Sequence, residues 1–359
     1  MADFSFRSNI WKMYLMNLLR GLHFFGGVLI PFFTDWAHLS YTQIMILQSW
    51  FMFWAFALEI PTGTVADYFG RRASIALGCF TWAAGALIYV SYPSFYVFML
   101  GEFIFAIGAA LISGADQALI YDSLKQSGEA KRSKSVFGRY ASMGMLGILI
   151  ASPVGGFLGS IDLRLPMLIT SVPLALAGVL MLLVKEPYSA KKMESTRYLN
   201  VLKEGLRFFA KNRAIKILAI DMAFVGAITY TIIWFFQIML KNAGVPITYF
   251  GFVHAAMVLA EIIVLNNFGR LKRLFGSKRN FLIASTLIPG IMFVVAGTTT
   301  SLPVILLSIL LIGGFGLTRS TLIQHYMNKH MPTARRATIL SAASMLANFA
   351  IAAMDPFAG

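Results

Sequence analysis

The sequence predicts an all-α polytopic membrane protein, and three observations predict it. The chain has 359 residues, 58% of them hydrophobic and only 13% charged, with a mean hydropathy of +0.73. An ordinary soluble domain is about half apolar and about a quarter charged. Eleven apolar runs are each long enough for a bilayer core, which takes about 20 residues. The basic residues collect in alternate connections between those runs.

The runs are 10–32, 41–66, 73–92, 95–121, 138–160, 165–184, 214–240, 247–268, 280–298, 302–326 and 336–358. Each is read as a helix, because lipid cannot hydrogen-bond an open backbone. The ten-residue alternation that marks a transmembrane strand does not occur in the sequence. The first run is too long for a cleaved signal peptide. It is interrupted by Asn17 and Arg20 and has no clear small-x-small cleavage site, so it is the first span.

With the N-terminus in the cytoplasm, 26 of the 30 Lys and Arg fall in cytoplasmic segments. Arg164 and Lys241 fall outside, and Arg20 and Arg319 fall within spans. This is the positive-inside rule, and it points to a multi-pass protein of the cell membrane. It also explains the net charge of +15. A basic pI otherwise suggests nucleic acid, but these cations alternate with membrane spans, so no nucleic acid is expected. Cys79 is the single cysteine. It excludes an intrachain disulfide and multi-cysteine zinc sites and is expected to serve packing. No cofactor and no metal are expected.

The longest connection divides the chain into an N-terminal bundle of six spans (1–184), a cytoplasmic linker (185–213) and a C-terminal bundle (214–359) with five. In the linker, Tyr198, Leu199, Leu202, Leu206 and Phe209 share one helical face, with Lys203, Arg207 and Lys211 elsewhere. That pattern suits an amphipathic helix joining the bundles along the inner leaflet.

The two halves echo one another. GTVADYFGRR (63–72) follows span two, and GRLKRLFGSK (269–278) follows span eight. They share Gly63/Gly269, Phe69/Phe275, Gly70/Gly276 and Arg72/Lys278. Ala141, Ser142 and Met143 in span five match Ala343, Ser344 and Met345 in span eleven. Parallel repeats of six spans place a substrate site at their interface near the bilayer midplane. By that symmetry a twelfth helix is expected and is missing from this chain.

GTVADYFGRR resembles the loop 2–3 signature of the major facilitator superfamily of secondary transporters, Gly-x-x-x-Asp-x-x-Gly-Arg-Lys/Arg. The resemblance covers essentially the whole chain. It implies two pseudo-symmetric six-helix bundles and a conformational latch formed by Gly63, Asp67, Gly70, Arg71 and Arg72. Gly63 is expected to permit close helix approach and Gly70 a tight turn. Asp67 is expected to pair with Arg71 or Arg72, or with Arg335 and Arg336. The second copy has Arg273 where the first has Asp67. Two drug–proton antiporter signatures depart from pattern. Glu102 stands in EFIFAIGAA where those proteins have Arg, and span five reads SPVGG (152–156). Gly144, Gly147, Gly155, Gly156 and Gly159 still make span five a close-packing helix.

Ionisable residues inside a span are costly and mark function. Arg20 in span one and Asp116 in span four differ in depth by roughly 6 Å at about 1.5 Å per residue, within reach of long side chains. Asp221 lies within two positions of the repeat equivalent of Arg20, and Arg319 aligns with Asp116. Each half therefore holds one acid and one base, with signs exchanged. By the resemblance these four line the central cavity, either exchanging partners during transport or forming two static bridges. Glu102 and Glu261 have no evident partner. Glu261 is the first choice of proton carrier and Asp116 the second. Asn17, His23, Gln117, Tyr121, Tyr230 and Trp234 are candidate substrate contacts, with core packing the alternative for each; His254 is weighed in the same way.

The function expected is secondary active transport of a small organic solute, with lipid and a proton as further partners and a monomer as the working unit. Export of a drug-like or amphiphilic compound competes with an organic-anion or sugar-type carrier. A non-transporting receptor or scaffold is the alternative of another class. No enzyme is expected: the sequence has no phosphate-binding G-x-x-x-x-G-K-[ST], no H-E-x-x-H and no G-x-S-x-G.

Overall fold

The computed structural model describes residues 6–187, 207–208, 211–329, 331, 339, 343 and 346–354. They are helical throughout, with short turns between helices and no strand among the described residues. Among the described residues, eight helices are long and apolar enough to cross a membrane, or nine if the bent pair Arg7–Gly27 and Leu29–Trp36 is one span. These nine account for spans one and three to ten. Span two is the 29-residue helix Tyr41–Phe69. Span eleven falls partly outside the described residues, and its 346–354 segment is helical. The amphipathic linker helix expected around Tyr198–Phe209 lies outside the described residues, apart from residues 207 and 208.

Local sequence sets the helix ends. Span two starts at a capping box: Ser40 Oγ accepts from Gln43 N at 3.2 Å, and Gln43 Oε1 accepts from Ser40 N at 2.9 Å. Asn212 caps span seven through Ile215 N, and Ser277 caps span nine through Asn280 N. Gly70, at φ +92°, makes the turn into span three (Arg71–Tyr89).

Several spans are interrupted near their middles. Span one unwinds after Gly21. Span four is Phe95–Ile112 and Ala115–Gln126, separated at Gly114, which has φ +72°. Span seven is Arg213–Tyr230 and Ile232–Asn242. Span ten is Leu302–Leu311 and Arg319–Lys329, joined by a wide turn over Ile312–Leu317 that holds three glycines. Broken helices at membrane depth are tolerated where they are enclosed by protein or line a cavity.

Each half has its own apolar core. Met13, Met16, Cys79, Leu119, Leu124 and Met181 belong to one cluster of the N-terminal half, where Cys79 is buried as a packing residue. Ile215, Met222, Ile323 and Met327 belong to one of the C-terminal half. The halves meet along span five (Ser133–Ile161) and span eight (Ile247–Asn266).

Candidate functional site

The four intramembrane charges form two ion pairs, one in each half. Arg20 ends the first helical stretch of span one, where its charge suits the negative end of the helix dipole. Asp116 sits in the first turn of the helix after the Gly114 break, where the dipole favours an anion. Arg20 Nη1 lies 3.7 Å from Asp116 Oδ2. Tyr140 of span five completes the group: its hydroxyl donates to Asp116 Oδ2 at 2.6 Å and accepts from Arg20 Nη1 at 3.5 Å. The Arg20 guanidinium also lies over the Trp82 ring, 5.1 Å from its centroid. Asn17 Nδ2 donates to the Tyr140 carbonyl at 2.6 Å.

The second pair is tighter. Arg319 Nη2 donates to Asp221 Oδ1 at 2.6 Å and Nε to Oδ2 at 3.1 Å, a two-pronged contact. Arg319 Nη1 donates to the Leu282 carbonyl at 2.8 Å and to Ser285 Oγ. Arg319 opens the last helix of span ten, where the dipole repels a cation. The extra carbonyl and hydroxyl from span nine offset that placement. In both halves a helix break comes just before the charged residue, Gly114 before Asp116 and Ile312–Leu317 before Arg319.

A seam closes the halves together at the end opposite the N-terminus. Gly156 faces Thr248 O and Gly251 N, and Gly27 faces the Gly251 Cα, while within the N-terminal half Gly155 faces the Phe24 carbonyl. An added Cβ at Gly251 would run into the Ser152 carbonyl oxygen. Polar locks flank this backbone contact. Ser152 Oγ and His254 Nδ1 are 2.8 Å apart. Gln237 Oε1 accepts from Ile30 N at 2.8 Å, and its Nε2 donates to the Gly26 carbonyl at 3.2 Å. Lys241 pairs with Asp35 and donates to Thr34 Oγ1 at 3.1 Å. Gln237, Lys241 and Asp35 carry no sequence motif, because cross-bundle register leaves no local pattern.

The loop 2–3 motif also acquires unforeseen partners. Glu186, at the end of span six, accepts from Arg71 N and Arg72 N, both at 2.8 Å, and so caps span three. The Arg71 guanidinium pairs with Asp122 of span four, and Arg72 Nη1 donates to the Val184 carbonyl at 3.3 Å. The Asp67 side chain and residues 335 and 336 lie outside the described residues. Among the described residues, a Cβ at Gly63 would meet nothing within 4 Å.

The remaining candidates disperse. Gln117 and Tyr121 are exposed one turn apart on span four. Trp234 is buried in the aromatic cluster with Phe33 and Phe98, at the seam end. Tyr230 packs against the Ala223, Ala227 and Ile351 cluster, as does Met52 of the other half. His23 lies next to Gly26, whose added Cβ would also meet the His254 ring, so both histidines belong to the seam. Glu102 does have a partner, which corrects its reading as unpartnered: Gln48 Nε2 donates to its Oε1 at 3.1 Å. Glu261 has no hydrogen-bond or ion-pair partner among the described residues.

Two helical bundles that close on a backbone seam around paired intramembrane charges define a membrane transporter. Residues 13–354 match the Major Facilitator Superfamily, and the chain belongs to it. An uncharacterized transporter of Buchnera aphidicola subsp. Schizaphis graminum is 33% identical over 96 residues, which is 27% of this chain and 24% of that protein. The match thus spans about a quarter of that relative's length. The nucleoside transporter NupG superposes with a TM-score of 0.80 at 14% identity, over 97% of this chain and 89% of that one. A bacterial homologue of the human lysosomal transporter Spinster, inward-facing and unoccupied, gives 0.78 at 20% identity, over 99% and 82%. A D-xylose–proton symporter gives 0.68 at 16%, over 97% and 88%. At these identities the likeness establishes the fold.

Proposed function

We propose that this chain is a proton-coupled carrier of the cell membrane that exports a neutral or cationic amphiphile by alternating access. The observation that carries the reading is that each intramembrane arginine is neutralised by an aspartate of its own half. No surplus positive charge is left to hold an organic anion. Glu261, a carboxyl in an apolar span without a counter-charge among the described residues, is the proton carrier, and Asp116 is held in reserve by Tyr140. With the N-terminus in the cytoplasm, the seam lies on the outer side and the chain is in its inward-facing state. The working unit is a monomer, since one chain carries both repeats.

A second reading has its own support. Gln117 and Tyr121 present two polar groups on one exposed face, which suits a hydroxylated solute such as a sugar or nucleoside moving inward.

The test is transport in proteoliposomes under an imposed pH gradient, with a lipophilic cation, a pentose, a nucleoside and an organic anion as solutes. Gradient-driven movement of the cation, lost in Glu261→Gln, is expected. Movement of the anion, lost on replacing Arg20 or Arg319, would overturn the assignment in favour of an anion carrier. Saturable sugar or nucleoside movement would favour the second reading. Binding without movement of any solute would favour a receptor or scaffold.

A further inference from the structure

A cavity of about 380 Å³ opens at the N-terminal end of the bundle, apart from the paired charges and the seam. It is lined by Arg7, Ile10, Trp11 and Tyr14 of span one, Leu124 of span four, Glu129 and Arg132 of the connection that follows, and Val136 at the start of span five. Its size is within the range of small-molecule sites, about 300–1,000 Å³.

Its charges are arranged rather than scattered. Glu129 holds two guanidinium groups: Arg7 Nη2 at 2.6 Å and Arg132 Nη1 at 2.8 Å. One carboxylate against two guanidiniums leaves the rim with a net positive charge. Both arginine side chains are more than half exposed, at 53% and 59%. A guanidinium has five N–H donors in a fixed fork, and Arg132 spends one on Glu129. Paired forks of this kind match the oxygens of a phosphate. Lys131, Lys134 and Arg139 lie on the same connection or the start of span five and add to the local field.

The surroundings say where such a phosphate comes from. Arg7 is the first residue of span one, and Val136 lies in the first turn of span five, so the cavity sits where the apolar spans begin. Trp11 is 53% exposed beside it, with Lys12 5.9 Å from its ring. Trp and Tyr next to cations are the composition of a membrane interface, and basic pockets between spans at that level bind lipid head groups. We infer that the Arg7–Glu129–Arg132 cavity binds the phosphate head group of an anionic phospholipid, with Trp11 and Tyr14 against its glycerol and upper acyl carbons.

The test uses the purified full chain and native mass spectrometry, with phosphatidylglycerol against phosphatidylcholine as probes. Phosphatidylglycerol is expected to be retained preferentially. Arg7→Gln with Arg132→Gln is expected to weaken it roughly ten-fold, the loss of one to two charge-assisted contacts. Both arginines are exposed, so the variant is expected to fold. Arg7→Lys with Arg132→Lys keeps the charge, provides a folding control and should retain the preference in part. Equal retention of the two lipids overturns the inference, and so does an unchanged preference in the double Gln variant. Displacement of phosphatidylglycerol by equimolar glycerol 3-phosphate would make this a site for soluble phosphates and overturn the lipid assignment.

Discussion

The hydroxyl of Tyr140 stands between Arg20 and Asp116, 2.6 Å from the carboxylate and 3.5 Å from the guanidinium. The two charges are themselves 3.7 Å apart, so the phenol makes the closest contact to the acid. A hydrogen bond to a charged group contributes about 1.5–3 kcal/mol. Tyr140→Phe is therefore expected to lower stability by about that amount, measured by unfolding of the purified protein. A cost near zero would show that water replaces the hydroxyl without loss.

Asp221→Leu should be more damaging than Asp116→Leu. It strands Arg319, whose side chain is 5% exposed, whereas Arg20 is 23% exposed and keeps Trp82 and Tyr140. Breaking a buried pair by removing one partner costs about 3–5 kcal/mol. Adding Arg319→Met to Asp221→Leu should recover most of that loss. If the double variant is as unstable as the single one, the pair is not the unit of stabilisation. Its transport then separates the two roles: retained transport would mean a static bridge.

Gly251→Ala is expected to drive the seam apart, because its Cβ would collide with the Ser152 carbonyl. The native Cys79 is buried, so the rate of maleimide labelling at an added Ile30→Cys reports this opening directly. Labelling several-fold faster in the Gly251→Ala background is expected. Equal rates would show that the helices slide to accommodate the methyl.

Asp35→Cys with Lys241→Cys places a removable bridge across the same closure. Oxidation should stop transport and reduction should restore it. Continued turnover with the bridge formed would remove this contact from the working cycle.

Gly70→Ala and Glu186→Ala should not be additive. Gly70→Ala introduces a side chain at φ +92°, a strain of about 1–3 kcal/mol. Its Cβ would also meet the Glu186 carboxyl carbon at 2.9 Å. Glu186→Ala removes the cap on two backbone N–H groups, about 1–2 kcal/mol. Once the Glu186 side chain is gone, Gly70→Ala loses its collision and should cost less, as expected of residues in contact. Denaturation of the four proteins of this cycle checks it, and simple additivity would refute the contact.

The spans and their charges are legible in the sequence for one physical reason. A hydrocarbon solvent tolerates few exceptions, so each apolar run, each loop cation and each intramembrane Arg or Asp stands out. Arg319 and Asp116 are visible by their cost alone. The seam is not visible in this way. Ser152 and Gln237 are ordinary residues until span five is set against span eight and span seven against span one, and that register is a property of two whole bundles. Glu186 and Asp122 are not legible in this way because they cap and pair from other segments, while the motif they serve shows only its own residues.

The glycine seam also bears on how fast the protein can move. Interlocked side chains must withdraw and change rotamer before packed helices separate. Where backbone lies on backbone at Gly27, Gly156 and Gly251, there are no knobs to withdraw. In the proposed alternating-access cycle, the activation barrier to rocking is then expected to reside in the Ser152–His254, Gln237 and Asp35–Lys241 contacts. Substitutions at these locks tune the rate of turnover, while substitutions at the glycines decide which state exists at all.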